Sequence, residues 1–378
     1  MNVEIGKKIK QKEGYSALVL HPFPPKELFE VPQHILLKIA KADRLVGKLD
    51  GTTTESALPD IDFFLKMFVA KDATSSAQIE GTRATIIDAL EKDAGVGVDD
   101  TDADDILYYI KAMNYGLRRL EDLPLSLRLI REIHKELMTG ARATHFSDPG
   151  EFRKTQNWIG GTRPDNAHFV PPPVDEMKRS LDDFEKFLHE EEKILPLLHI
   201  GIMHAQFETI HPFLDGNGRV GRLLTTLLLC HRNMLEHPVL SLSSYFKKHQ
   251  RVYYQKLDDY HNGNIESWIE FFLDGVIETA EESIDITSHI RQLRDTDMRK
   301  IQALAKRESE SGVLVLQKLF GSPIVNTKKV MDWTGFSRPG SQKVIERFID
   351  LGILYAQDEK GTYDRSYVYK DYINIFIK

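Results

Sequence analysis

Two stretches of the chain, Pro196 to Phe207 and Arg219 to Arg232, are apolar on nearly every face, and they are separated by a short polar turn, Asp215-Gly-Asn-Gly-Arg219. Helices without a polar side belong at the centre of a bundle, so the turn between them must sit at one end of the core. Around this pair, Val31 to Val46, Ile61 to Ile79, Ile106 to Leu120, Leu125 to Met138 and Val174 to His189 show apolar residues at helical spacing. The fold class expected is all-α. One extended signal interrupts the middle of the chain: in Asn157 to Pro173, the pair Gly160-Gly161 separates Trp158-Ile159 from His168-Phe169-Val170, which predicts a β-hairpin flap.

With 378 residues the chain exceeds one ordinary core, and three parts are expected. Residues 1–100 form a helical region and 101–280 the central bundle, with an acidic, glycine-containing connection at Lys92 to Asp105 as a soft boundary. Residues 295–378 change pattern. Helices at Gly312 to Leu319, Thr327 to Trp333 and Gly340 to Leu351 precede extended Ile353 to Ala356 and Tyr367 to Tyr369 around a turn at Asp358 to Gly361, the order of a winged helix. A charged helical stretch, Glu278 to Lys306, leads into it.

No apolar run approaches a membrane span, and Met1 to Lys8 lacks the apolar core of a secretory signal, so a cytoplasmic protein with no membrane partner is expected. The single cysteine, Cys230, follows an apolar run and reads as a small core residue. A net charge of -7 disfavours general polyanion binding. From Gly312 onward the balance turns mildly basic, and Arg338, Lys343 and Arg347 fall on or beside the third helix of the winged-helix region. DNA is therefore a partner to consider there, with protein contact the favoured reading.

The turn between the two central helices has the chemistry of a phosphate site. Gly216 and Gly218 let the backbone approach anionic oxygens at a helix N-terminus, where N–H groups are unpaired. Arg219 and Arg222 share one helical face and can grip successive phosphates. Asp215 offers a hard carboxylate for Mg²⁺, or caps the helix. His211, four residues earlier, is placed to act as a general base. His199 and His204 with His211 invite a zinc reading, which the absence of a His-Glu-x-x-His pattern disfavours.

The segment His211-Pro-Phe-Leu-Asp-Gly-Asn-Gly-Arg-Val-Gly-Arg222 resembles the signature of Fic proteins at every specified position. The resemblance implies an all-helical core with a β-hairpin flap and transfer of AMP from ATP-Mg²⁺ to a Tyr, Thr or Ser hydroxyl of a protein. It makes His211 the catalytic base, Asp215 the metal ligand, Gly216, Asn217 and Gly218 an anion hole, and Arg219 and Arg222 the phosphate grips. Val220 and Gly221 belong to the same ATP-binding segment. Ser76-Ala-Gln-Ile-Glu80-Gly81 resembles the family's inhibitory motif, which in one class lies N-terminal to the catalytic domain, with Glu80 paired to Arg222.

By the same resemblance, the flap would hold the target protein by strand addition. Leu240 to Tyr245 and Val252 to Tyr254 would complete the nucleotide pocket, with Tyr253 against adenine and Gln206 as a further lining residue. Relatives often form homodimers, which carries over as an expectation, and some use the inhibitory glutamate to remove AMP. A nucleotide-sensing DNA-binding regulator, and transfer of phosphocholine, UMP or phosphate, are the competing classes.

Overall fold

The computed structural model describes residues 2–54, 58–93, 101–140, 148–190, 193–356 and 365–377. The elements are β1 (Gly6–Lys10), β2 (Ser16–Leu20), α1 (Gln33–Asp50), α2 (Ile61–Ile79), α3 (Ile86–Asp93), α4 (Thr101–Arg119), α5 (Leu127–Met138), α6 (Val174–Leu188), α7 (Pro196–Ile210), α8 (Asn217–His231), α9 (Leu242–Lys248), α10 (Gln250–His261) and α11 (Ile265–Gln302). After these come α12 (Lys306–Gly321), β3 (Ile324–Asn326), α13 (Thr327–Thr334), α14 (Arg338–Asp350), β4 (Tyr355–Ala356), β5 (Ser366–Val368) and α15 (Lys370–Ile377). The class is mainly helical, as the apolar spacing implied. Two compact units are present: residues 1–47 with 69–280, and residues 48–68 with 281–378.

In the first unit α7 is the axis. Every residue from Leu197 to Ile210 is buried, which follows from a sequence with no polar stripe. It packs against α6, α8 and α10, while α8 also meets α4, α5 and α9. Small residues allow the close approaches. A Cβ on Gly116 of α4 would meet Leu227 of α8 at 2.8 Å, and Gly201 of α7 leaves room for Phe272 while its carbonyl accepts the indole N–H of Trp268 at 2.7 Å.

Three expectations need correction here. The first hundred residues are not wholly helical, because β1 and β2 form an antiparallel hairpin with Gly6 opposite Leu20. β1 reads Gly-Lys-Lys-Ile-Lys and is mostly exposed, so it carries no alternating apolar signal. The connection expected at 92–105 is helical from Thr101, where Asp102 and Asp104 occupy the first turn of α4 and favour its positive end; residues 94–100 lie outside the described set. Cys230 is only partly buried, at the last turn of α8.

The flap is narrower than a two-stranded ribbon. Ile159 and Phe169 form a single antiparallel bridge, with the Ile159 N–H donating to the Phe169 carbonyl at 2.9 Å. The neighbouring Val170 carbonyl accepts the N–H of Leu18 in β2 at 3.0 Å, so the N-terminal hairpin braces the flap's returning arm.

In the second unit α12, β3, α13, α14, β4 and β5 follow in that order, and the strands pair antiparallel as β3-β5-β4. Asn326 caps α13 by accepting the Lys329 N–H, and Gly335, with φ of 69°, ends it. The turn expected at Asp358 to Gly361 lies outside the described residues. Arg347 donates to Glu308 of α12, so one of the three basic residues near α14 is held in an intramolecular pair. Among the described residues no helix is long and apolar enough to cross a membrane.

Candidate active site

The chain leaves α7 through His211, whose backbone is left-handed (φ 49°, ψ 59°), a conformation rare outside glycine and asparagine. It is held from several sides. The His211 carbonyl accepts Arg153 Nε at 3.0 Å and Asn157 Nδ2 at 3.2 Å, and the Pro212 carbonyl accepts the Arg153 N–H. Asn217 closes the turn on itself: its Oδ1 accepts the Phe213 N–H and its Nδ2 donates to the Phe213 carbonyl, both at 2.8 Å. The Phe213 ring is fully buried and stacks on His134 at 3.7 Å between centroids. Pro212 and Phe213 thus anchor the turn.

His134, on α5, was not singled out by the sequence. Its Nδ1 accepts the Gly150 N–H at 2.8 Å, so Nε2 carries the proton and donates to the Asp215 carbonyl at 3.0 Å. Burial holds its pKa down to about 4, which keeps it neutral. Gly216 takes φ of 79° and precedes the first residue of α8, so the backbone N–H groups of that helix open into a cavity of about 360 Å³, within the range of small-ligand sites.

Glu80, Trp158, Glu208, His211, Asp215 to Gly218, Arg222, Tyr253, Tyr254 and His261 line this cavity. His211 Nδ1 lies 3.2 Å from the Glu208 carbonyl, which can only accept, so Nδ1 bears the proton and Nε2 keeps its lone pair. Burial lowers the His211 pKa to about 4, and the imidazole is neutral at physiological pH. Asp215 accepts the Gly216 N–H at 2.6 Å and keeps a third of its side chain exposed. No group of three His, Cys, Asp or Glu side chains suited to a metal occurs among the described residues, and Asp215 is the partly exposed carboxylate at this turn that could hold a hard cation with water as its other ligands. That fits Mg²⁺, which dehydrates reluctantly.

Arg222 is 2% exposed, and its guanidinium is occupied. Nη2 donates to Glu80 Oε1 at 2.7 Å and to the Ser76 carbonyl at 3.1 Å, while Nε donates to Ser76 Oγ at 2.9 Å. Burial would raise the Glu80 pKa, but Arg222, then Arg219 and His211, bring it below the ordinary carboxylate range. Glu80 follows α2 directly, and Gly81, with φ of 97°, ends the helical path there. The last carbonyls of α2 have partners: Lys247 donates to Gln78 O at 3.3 Å and Gln250 to Ile79 O at 3.0 Å. Deeper along α2, Asp72 is buried and accepts Tyr109 Oη at 2.8 Å, Ser241 Oγ at 3.2 Å and the Ser243 N–H at 3.0 Å. Asp105 of α4 joins the same edge, accepting Thr82 Oγ1 at 2.9 Å and lying 3.8 Å from Arg219 Nη1. Asp72 and Asp105 had no local sequence signal, since each acts only through distant partners.

Some site expectations are not supported by position. Gln206 is buried and accepts Tyr260 Oη at 2.9 Å, away from the cavity lining, because α7 turns that face into the core. Val220 is fully buried, and the Gly221 carbonyl accepts His204 Nδ1 at 3.1 Å, so both contribute to α7–α8 packing. Arg219 is buried beside Asp105, Asp215 and Met138 and does not line the cavity wall. Tyr253 lines the cavity but is 1% exposed: its hydroxyl donates to His204 Nε2 at 2.9 Å and its ring stacks on Phe246. Tyr254 is the more open ring, 45% exposed. His199 is likewise committed to protein, at Phe187 O and Arg232.

Residues 124–229 match the Fic/DOC family and residues 36–118 match the Fic/DOC family N-terminal region. The chain is 30% identical over 210 residues to a protein adenylyltransferase Fic of Drosophila grimshawi, covering 54% of this chain and 38% of that protein. It is 30% identical over 186 residues to one of Culex quinquefasciatus, covering 48% of this chain and 33% of that protein. The match thus spans well under half of these relatives' length. A Fic family protein of Desulfovibrio desulfuricans G20 shares the fold with TM-score 0.59 at 18% identity, covering 92% of this chain and 97% of that one. A Fic domain containing signaling protein of Bacteroides thetaiotaomicron VPI-5482 does so with TM-score 0.52 at 18% identity, covering 65% and 97%.

Proposed function

Because this chain belongs to the Fic/DOC family across residues 36–118 and 124–229, we propose that it is an enzyme transferring AMP from ATP to a hydroxyl of a protein, itself included. The observation that supports this most is the convergence of a neutral imidazole with a free Nε2 and an open helix N-terminus on one cavity. The triphosphate lies against the N–H groups of Asn217 to Arg219, where the helix dipole and unpaired donors favour anions. His211 Nε2 takes the proton of the incoming hydroxyl. The hydroxyl oxygen bonds to the α-phosphorus as the bond to the bridging oxygen of the β-phosphate breaks, and pyrophosphate leaves. Most of the rate enhancement comes from positioning and charge stabilisation.

Asp215 is the residue that would hold Mg²⁺ with the phosphates; the ion supplies charge neutralisation of the triphosphate when bound. Arg222 is the grip for the γ-phosphate, and Glu80 occupies it. ATP that enters while the pair persists is held in an unproductive pose, so the resting protein is autoinhibited. Arg219 acts by orienting the turn and the first turn of α8. The Ile159 N–H and carbonyl are spent within the flap, so the outward main-chain groups beside it, at Trp158 and Gly160, are the edge offered to an extended target segment. Residues 295–378 form a winged-helix domain in this reading, a protein-contact module ahead of a DNA reader. A cytoplasmic location and a homodimer remain part of the proposal.

Intact-mass analysis after incubation with ATP and Mg²⁺ tests the reading. Glu80→Gly protein gains an adenylyl unit that the parent gains slowly, and the Glu80→Gly, His211→Ala double variant gains none while still binding ATP by calorimetry. No added mass on Glu80→Gly protein under any nucleotide condition would sink the activity.

A further inference from the structure

Glu208 stands one turn before His211 on α7 and is not used by the mechanism above. Its side chain is 8% exposed and lines the cavity. Oε1 is buried without a hydrogen-bond partner, and Oε2 lies 4.0 Å from His211 Nδ1. The space for this carboxyl exists because residue 221 is glycine: a Cβ there would meet Oε1 at 2.4 Å. A buried carboxyl oxygen left unpaired is unfavourable, and such groups recur where a charge must appear during a reaction.

The charge that appears in this cavity is on His211. Burial disfavours the imidazolium, so accepting a proton from the hydroxyl needs a fixed anion nearby. Arg222 faces Glu208 from α8, Tyr253 and His261 face this region from α10, and Arg153 reaches His211 from before the flap; none supplies negative charge at neutral pH. Glu80 does, from the end of α2, but it is bound to Arg222 and has to leave for ATP to bind productively. Glu208 stays, because it shares a helix with His211.

We propose that Glu208 is the positioning residue for His211, its carboxylate balancing the imidazolium that forms as the target hydroxyl gives up its proton. The inference rests on the AMP-transfer reading. In the step, the hydroxyl proton passes to Nε2, Nδ1–H remains donated to the Glu208 carbonyl, and the Glu208 carboxylate meets the new positive charge without accepting a proton. His211 later returns the proton to solvent. Burial raises the Glu208 pKa to about 7, so the ionised carboxylate is gained as pH rises through neutrality.

The test uses self-modification in the Glu80→Gly protein, measured as kcat and KM for ATP from pH 5.5 to 9, with and without Glu208→Gln. Glu208→Gln keeps the shape and removes the charge. The expected result is a fall in kcat on the order of tenfold to a hundredfold with KM for ATP within about twofold, the range of lost proton-transfer assistance. The acidic limb near pH 7 disappears from the variant's profile, and Glu208→Asp recovers part of kcat. An unchanged pH profile and kcat, or a rise in KM with kcat intact, would overturn the role, as would loss of activity explained by a lower melting temperature in both the Gln and Asp variants. Absence of transfer by the Glu80→Gly protein itself defeats the activity, and the positioning role falls with it.

Discussion

Arg222 Nη2 donates to Glu80 Oε1 at 2.7 Å, joining residues 142 positions apart in the chain. The arginine is fixed at 2% exposure by two further bonds to Ser76, whereas the Glu80 side chain remains 43% exposed. One partner is therefore permanent and the other is exchangeable. Under the proposed reading a γ-phosphate would replace the carboxylate and leave the helix that carries the guanidinium undisturbed.

Glu80→Gly leaves a buried cation with its Ser76 bonds only. Full loss of a buried pair costs several kcal/mol, but the exposure of Glu80 reduces this to about 1–2 kcal/mol. Without nucleotide the variant should melt several degrees below the parent, and saturating ATP should close the gap, as read by thermal unfolding. A variant that melts higher than the parent without ATP contradicts this.

Gly218→Ala places a methyl group 2.5 Å from Glu80 Oε1 and 2.9 Å from Arg222 Nη1. Glu80 is a half-exposed side-chain end that can turn aside, and the methyl group obstructs the space beside the Arg222 guanidinium, which Ser76 holds in place. Calorimetry should show ATP affinity weakened by tenfold or more with stability within about 1 kcal/mol of the parent, the scale of a mild clash. Unaltered ATP affinity would place the triphosphate elsewhere.

Asp72→Ala strands Tyr109 Oη and the Ser243 N–H in the interior and leaves Ser241 Oγ only its bond to Ser244 Oγ. Leaving such donors unpaired costs roughly 2–4 kcal/mol, to be read from urea unfolding. Because Asp72 ties α2 to the N-terminus of α9, the variant should also modify itself faster than the parent with Glu80 intact. Equal self-modification at reduced stability would confine Asp72 to folding.

Burial lowers His134 and His211 to about 4 and His204 to about 3, so all three are neutral in the folded protein. The unfolded chain protonates them near pH 6.5. It therefore binds more protons than the folded state between about pH 6.5 and 4, and stability falls as pH drops through that window, each histidine contributing on the order of 3 kcal/mol. Urea midpoints from pH 7.5 to 4.5 should show the decline. His134→Phe keeps a ring against Phe213 and should flatten part of the slope while lowering stability at pH 7.5.

The helices that surround the site were legible because their apolar spacing is local: Ile61 to Ile79 coincides with α2 end to end. The hairpin β1-β2 was not, since its stability comes from pairing and from Leu18 meeting Val170, neither of which leaves a period in Gly-Lys-Lys-Ile-Lys. Short helices α9 and α10 were read only as pocket segments. The resemblance sets Tyr253 against adenine, and its hydroxyl is taken by His204, a partner 49 positions away.

By itself the sequence determined the chemistry that can occur at the turn after α7, because glycines, arginines, an aspartate and a histidine within twelve consecutive positions admit few arrangements beside a helix start. Only the tertiary structure decided which of those groups face the cavity and which are spent on the core. That choice depends on the rotation of α7 and α8 against each other and on α2 arriving from far upstream, and side chains buried by distant neighbours leave no mark on local spacing.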